Sequence, residues 1–165
     1  MKKLFLAAVV AVFSVASMQA QTFKVGATLG LPAADASDIS TFVLGVDAYY
    51  YFTDVDALIE IGATAGFRNF FGDDIEIGDQ TVSVDDGQFL PLAAAGRVKI
   101  FGLLSGGVDI GYALGINDGN DGGFYFRPVV GFDIADTIEL NASYESITND
   151  GVTWGNINLG VLFEF

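Results

Sequence analysis

Carboxylates are the side chains through which this sequence offers chemistry. The 165 residues include 21 Asp and Glu against seven Lys and Arg, and neither His nor Cys occurs. A Ser-His-Asp triad and a thiolate nucleophile are therefore excluded. Adjacent carboxylates occur at Asp73-Asp74 and Asp85-Asp86, the residue type that glycosidases use in pairs. Both pairs lie in one loop-like segment without a visible partner, so we predict that the protein is not an enzyme and has no catalytic residue or cofactor.

Oxygen ligands for a hard cation occur along Asn117-Asp-Gly-Asn-Asp-Gly-Gly123. The spacing differs from that of an EF-hand loop. Asx-Gly sequences also occur in turns for purely conformational reasons, because Asn, Asp and Gly tolerate left-handed backbone. We therefore predict a turn in this segment and no dedicated metal site.

The elements that must position the charges are β-strands, because apolar residues alternate with polar or small ones. Most of these segments are close to the roughly 9–11 residues that cross a bilayer at a tilt. Eight strands are predicted, over Thr22–Gly30, Thr41–Phe52, Ala57–Arg68, Phe89–Phe101, Ser105–Ile116, Phe124–Ile134, Thr137–Ile147 and Val152–Phe165.

The connections between these strands alternate in length. Three tight turns are predicted at Thr53–Asp56, Gly102–Leu104 and Ala135–Asp136, and the other connections include the long segment Asn69–Gln88. Short turns at one end and longer loops at the other are typical of outer-membrane barrels, whose short turns face the periplasm. The long segment can extend as a hairpin, because apolar residues alternate there too.

The charged residues of the predicted strands share one face, and the opposite face carries no charge. Two barrels fit this pattern. A soluble lipocalin-like periplasmic carrier would turn the apolar face inward, whereas a membrane barrel would turn it outward. Small residues on the charged face suit a narrow lumen, and aromatics lie at two levels of the apolar face, as membrane interfaces favour. The sequence therefore favours an all-β, eight-stranded antiparallel up-and-down transmembrane β-barrel.

A lumen of this size is filled by side chains, and unpaired charge inside it is costly. We therefore expect a connected ion-pair network that plugs the barrel; a narrow small-ion channel is the alternative. The expected neighbours are Arg97 with Asp109, Arg127 with Glu145, Asp133 with Glu139, and Lys24 with Glu164. The predicted network comprises Lys24, Asp47, Glu60, Arg68, Arg97, Lys99, Asp109, Arg127, Asp133, Glu139, Glu145 and Glu164.

The first 20 residues have the pattern of a cleaved signal peptide, with Lys2-Lys3 before an apolar run and Ala20 at the expected cleavage site. The apolar run is too short for a spanning helix. Residues 21–165 then form the barrel domain, with five basic residues against 21 acidic ones and a net charge of −16. This charge argues against a nucleic-acid partner.

The last predicted strand has apolar residues at every second position and finishes on Phe165. With the signal peptide and the turn spacing, this strand resembles the small eight-stranded outer-membrane barrels of the OmpA/OmpX type. The resemblance implies the outer membrane of a Gram-negative-type bacterium and contact with its lipid. It also implies that Phe165, Phe163 and Val161 are read by the barrel-assembly machinery.

The outer loops carry eleven acidic residues and no basic one. Divalent cations can bridge such loops to the phosphates of lipopolysaccharide, which we expect to be a partner. A structural or surface-interaction role is therefore predicted. The sequence carries no signal for an oligomeric state.

Overall fold

The computed structural model describes residues 22–55, 58–77 and 80–165, so the predicted signal peptide lies outside the described residues. The described chain forms ten strands and one short 3-10 helix at Asp35–Asp38. The strands are β1 (Thr22–Ala34), β2 (Ser40–Val55), β3 (Ile59–Gly72), β4 (Asp74–Ile77), β5 (Gln80–Ser83), β6 (Gly87–Ile100), β7 (Leu104–Gly115), β8 (Gly123–Ala135), β9 (Ile138–Asn149) and β10 (Val152–Glu164).

Eight of these strands close into one antiparallel barrel in the order β1-β10-β9-β8-β7-β6-β3-β2. The barrel closes between β1 and β10, where Lys24 lies opposite Glu164. The predicted all-β, eight-stranded up-and-down barrel is therefore confirmed. Strands β4 and β5 form a separate two-stranded sheet, which is the hairpin expected within Asn69–Gln88.

Several strands run further at the loop end than the alternation predicted. Strand β1 continues from Gly30 to Ala34 because β10 continues beside it and pairs Ala33 with Gly155. Pairing with a neighbour therefore sets where a strand ends. Within the described ranges, no helix is both long and apolar enough to cross a membrane.

The apolar face of each barrel strand points outward, and the charged face points into the lumen. Leu159, near the middle of β10, is 71% exposed, while Arg68 and Arg127 are 0% and 1% exposed. A soluble carrier would have the reverse arrangement, with charges in water and apolar residues around a cavity. The outer wall of this barrel is instead a continuous apolar surface suited to lipid.

Candidate functional site: the barrel lumen and its loop-side mouth

The centre of the lumen is an ion-pair cluster on Asp47. Arg68 NH2 lies 2.9 Å from Asp47 Oδ1, and Arg127 NH1 lies 2.9 Å from Asp47 Oδ2. Arg68 Nε also lies 2.8 Å from Glu145 Oε2. Two guanidinium groups and two carboxylates therefore share one buried cluster, in which each charge faces an opposite one, as burial requires.

Tyrosine hydroxyls extend this cluster along the barrel axis. Arg127 NH1 donates to Tyr49 Oη at 2.9 Å, and Tyr49 Oη donates to Asp109 Oδ2 at 2.9 Å. Arg97 NH1 lies 2.7 Å from Asp109 Oδ1. On the other side, Tyr125 Oη donates to Glu145 Oε2 at 2.9 Å. The result is one continuous chain of polar contacts from Glu145 to Arg97.

The short-turn end of the lumen holds two smaller sets of ion pairs. Lys24 Nζ lies 3.0 Å from Glu139 Oε2 and 3.6 Å from Glu164 Oε2. Lys99 Nζ lies 3.2 Å from Glu60 Oε1. Every basic residue of the barrel strands thus has an acidic partner inside the lumen.

Two expected neighbours are ion pairs, namely Arg97 with Asp109 and Lys24 with Glu164. Arg127 lies opposite Glu145 in the strand register, as expected, because the flanking pairs are Phe126 with Ser146 and Val129 with Ser143. The two side chains nevertheless form no ion pair with each other within the described residues. Arg127 reaches across the lumen to Asp47 on β2, and Glu145 instead meets Arg68 on β3. Because the lumen is narrow, a long guanidinium side chain reaches the far wall and is not confined to the neighbouring strand.

Asp133 lies opposite Glu139 in the strand register, as expected. Among the described residues it forms no ion pair. Its position next to the β8–β9 turn, half-buried beside a cavity that also contains Lys99 and Glu164, leaves it in reach of water. Asp133 therefore faces the mouth of the lumen and is not a member of the central cluster.

Above the charged cluster, the loop end of the lumen is closed by three aromatic rings. Phe70 and Phe89 pack edge to face at 5.6 Å, and Trp154 packs against them at 5.2 and 5.3 Å. Buried Val43 and Ile147 lie in the same apolar cluster or against it. We call these five residues the aromatic plug.

The aromatic plug and the lumen tyrosines were not among the predicted lumen residues, although they alternate in step with the inward charges. Phe70 lies two residues from inward Arg68, and Tyr49 lies two residues from inward Asp47. Phe70 lies beyond the predicted end of its strand at Arg68, so no direction was predicted for it. Tyr49 and Tyr125 share the parity of the charged residues on their strands, and alternation along a strand therefore directs them inward.

Glycines make the room that the central cluster occupies. A Cβ at Gly66 would lie 2.5 Å from Asp47 Oδ1, and one at Gly45 would lie 2.8 Å from the Arg68 side chain. Real Cβ atoms do not approach neighbours so closely. The missing side chains on β2 and β3 therefore let two arginines fit inside an eight-stranded barrel.

The loops above the plug enclose a cavity of 430 Å³ with Trp154 in its wall. Asn117, in the segment first considered for cation ligands, accepts from Gln88 N at 3.0 Å and donates to Asp86 O at 2.8 Å. Asn120 donates to Gln88 O at 2.8 Å. The amides of this segment therefore tie two loops together. Within the described ranges, no group of three or more His, Cys, Asp or Glu side chains is placed to hold a metal ion.

Comparison with known proteins identifies the family. The family model of the outer membrane protein beta-barrel domain matches residues 5–165. None of the curated protein sequences matches the chain significantly. Ail, the attachment invasion locus protein of Yersinia pestis, is 16% identical, with a TM-score of 0.59 over 90% of this chain and 100% of that chain.

Two further solved structures have the same fold. The N-terminal β-barrel domain of Pseudomonas aeruginosa OprF is 14% identical, with a TM-score of 0.53 over 87% of this chain and 97% of that one. A second Ail structure, in complex with the heparin analogue sucrose octasulfate, is 14% identical, with a TM-score of 0.51 over 90% of this chain and 100% of that one. The family match and the closed eight-stranded barrel agree, and the chain belongs to the outer membrane protein beta-barrel domain family.

Proposed function

We propose that this protein is a non-conducting, non-enzymatic outer-membrane barrel that acts through its surface, as a structural element and an acidic interaction platform. The observation that carries this proposal is the filled lumen. Two layers block it in succession, the ion-pair cluster on Asp47 and the aromatic plug above it. With its bore closed, the barrel is left with its loops and its lipid-facing wall as functional surfaces.

The two layers oppose ion flow for different physical reasons. In the cluster, Arg68, Arg127, Tyr49 and Tyr125 are each at most 1% exposed, so these side chains present almost no water-accessible surface inside the lumen. In the plug, the apolar rings form a constriction that water does not wet, so a hydrated ion is excluded from it. The narrow-channel alternative requires both layers to rearrange together.

Planar-bilayer recording tests this proposal. The protein is first shown to be folded by its shift in mobility on heating in SDS gels. We expect no steady conductance steps from the natural chain, and none from Phe89→Ala, because the ion-pair cluster remains below the altered plug. Steady, ion-selective steps from the natural chain would establish the channel function instead.

The charge of the outer loops indicates which partners suit this surface. The loops carry eleven acids and no base, since all five basic residues after position 3 lie in the lumen. Ail has been crystallised with a polysulfated ligand, but direct binding of a polyanion to these loops would be repelled. We propose that lipopolysaccharide phosphates associate with this barrel through divalent cations.

Reconstitution into vesicles with and without lipopolysaccharide tests this cation dependence. With Mg²⁺ present, lipopolysaccharide is expected to raise the thermal midpoint of the barrel, and EDTA is expected to remove the increase. Phosphatidylcholine vesicles are the control, in which EDTA should change nothing. An increase that persists in EDTA would exclude the bridging role of the cation.

We further propose that residues 1–20 are cleaved during export and that the barrel-assembly machinery reads Phe165, Phe163 and Val161. Phe163 and Phe165 are exposed on the outer wall, where another protein can contact them. The Phe165 ring lies 6.5 Å from that of Phe23 across the barrel closure. The support for cleavage is the signal-peptide pattern of the sequence.

The assembly proposal is tested with Phe165→Ser. This variant is expected to fold in detergent like the natural chain but to accumulate less in cell outer membranes. If Phe165→Ser reduced the folded fraction in detergent as much as it reduced accumulation in the outer membrane, Phe165 would contribute to stability and not to recognition by the assembly machinery. Mass spectrometry of the membrane-extracted protein tests the proposed cleavage. If residues 1–20 are removed, the mature chain begins at Gln21.

A further inference from the structure

The turn between β6 and β7 is apolar and protrudes from the short-turn end of the barrel. It comprises Ile100, Phe101, Gly102, Leu103 and Leu104, and its four large side chains are all exposed. Phe101 is 94% exposed, more than any other large apolar residue of the described chain. We call residues 100–104 the apolar turn. The Phe101 side chain therefore gains almost nothing from contacts within the protein.

The backbone conformation of this turn is energetically unfavourable for phenylalanine at position 101. Phe101 has φ of 53° and is followed by Gly102 with φ of 73°. Left-handed backbone is uncommon outside glycine and is unfavourable for a bulky residue. Phe101 therefore occupies a conformation that Asn, Asp or Gly would adopt at lower cost.

A turn with the same left-handed backbone at the opposite end of the barrel carries a residue type that adopts this conformation at lower cost. The β9–β10 turn also has two successive left-handed residues, Asp150 with φ of 47° and Gly151 with φ of 88°. There the first position carries Asp, the residue type that such turns favour. Local conformation and folding therefore do not account for Phe at position 101, and a contact outside the chain would.

The surroundings of the apolar turn indicate the nature of that contact. Leu104 pairs with Phe132 in the strand register, and both are exposed on the outer wall. The turn is thus continuous with the lipid-facing surface. The β8–β9 turn at the same end carries the exposed carboxylate of Asp136. The β6–β7 turn instead continues the apolar wall to the end of the barrel.

We propose that the apolar turn is an interfacial anchor that binds the phospholipid leaflet on the periplasmic side, with Phe101 among the upper acyl carbons and ester groups. Short turns face the periplasm in barrels of this class, and aromatic rings favour the membrane interface. This inference rests on the membrane location and goes beyond the proposed surface role. Because the neighbouring β8–β9 turn carries Asp136, the anchor seats the barrel more deeply at the β6–β7 turn than at that turn.

Single-site spin labelling tests the anchor directly, because the chain has no cysteine. The label is attached to Phe101→Cys and, as a matched control at the same end, to Asp136→Cys. Both variants are reconstituted in phosphatidylcholine–phosphatidylglycerol vesicles. At position 101 we expect collisions with oxygen to exceed those with a water-soluble nickel chelate, by a ratio several-fold higher than at position 136.

Equal access of the nickel chelate to both labels would overturn the anchor. So would a label at position 101 that is exposed in vesicles and becomes protected only when periplasmic extract is added, because the contact would then be with a protein. The unmodified chain gives a second test by NMR in phospholipid nanodiscs. Magnetisation transfer from acyl methylene protons to the Phe101 ring supports the anchor, and transfer from water alone contradicts it. Neither test depends on conductance, so the anchor and the sealed lumen fail separately.

Discussion

Arg68 NH2 lies 2.9 Å from Asp47 Oδ1 inside the barrel, and both side chains are removed from solvent. The two residues stand on neighbouring strands, where Asp47 is opposite Gly66 and Arg68 is opposite Gly45. Asp47 also receives Arg127 from the far wall. One carboxylate thus compensates two buried guanidinium groups, and the glycines opposite provide the space.

The first prediction concerns Asp47→Asn, which keeps the shape of the side chain but removes its charge. Arg68 then keeps its ion pair with Glu145, whereas Arg127 loses the one ion pair that it forms within the described chain. We expect a loss of about 3–5 kcal/mol in the free energy of unfolding, the usual cost of breaking a buried pair. Denaturant unfolding in vesicles, followed by circular dichroism, measures it. The matched control is Asp133→Asn at the lumen mouth, expected within about 1 kcal/mol of the natural chain, because Asp133 is half-buried in reach of water and forms no ion pair among the described residues. Equal effects would contradict the role of Asp47.

A second prediction compares two glycines on opposite faces of the wall. A Cβ at Gly66 would meet Asp47 Oδ1, whereas a Cβ at Gly96 would meet no atom within 4 Å. Gly66→Ala should therefore destabilise the barrel by about 1–3 kcal/mol, the usual cost of overpacking. Gly96→Ala should be neutral or stabilising by up to about 1 kcal/mol, because it restricts the unfolded chain. Thermal unfolding of both variants in the same detergent measures the two effects. If Gly96→Ala were the more destabilising of the two, Gly66 could not point into the lumen.

The aromatic plug gives the third prediction. Trp154→Ala removes the ring that packs against both Phe70 and Phe89. We expect about 3 kcal/mol of destabilisation, from lost burial and the cavity left behind. Phe124→Ala on the lipid-facing wall is the control and should cost less, because lipid fills the vacated space. Guanidinium unfolding monitored by gel mobility compares the two without relying on tryptophan fluorescence.

The fourth prediction tests which face meets lipid. Leu159→Arg places a charge near the middle of β10 and should cost about 2–4 kcal/mol in a bilayer. Asp118→Arg, in an exposed loop, should change the free energy of unfolding by less than about 0.5 kcal/mol. Reversible unfolding in vesicles measures both. A tolerated arginine at position 159 would mean that this face is in contact with water.

The features that depend on local interactions along each strand were predicted from the sequence, whereas those that depend on contacts across the lumen were not. Period-two alternation fixed the strands and their faces, because burial on one side of a sheet acts on each residue locally. It also placed Lys24 beside Glu164, since the closing register follows from the turns. Arg127 and Glu145 lie opposite each other as predicted, but their ion-pair partners Asp47 and Arg68 were not predicted. Contacts across the lumen depend on the barrel's width and on side-chain reach. Phe70 was missed because the predicted strand ended at Arg68, and Trp154 was missed because only charged and small residues were assigned to the lumen.

The most direct test of the account is NMR of the unmodified chain in phospholipid nanodiscs, resolved along β10. We predict that Leu159 and Ile157 receive magnetisation from lipid acyl chains, whereas the intervening Asn158 receives none and exchanges slowly with water. That alternation would show a lipid-facing wall around a closed lumen. Rapid exchange of Asn158 with bulk water would contradict the closed lumen, and the absence of lipid contact at Leu159 would contradict the lipid-facing wall.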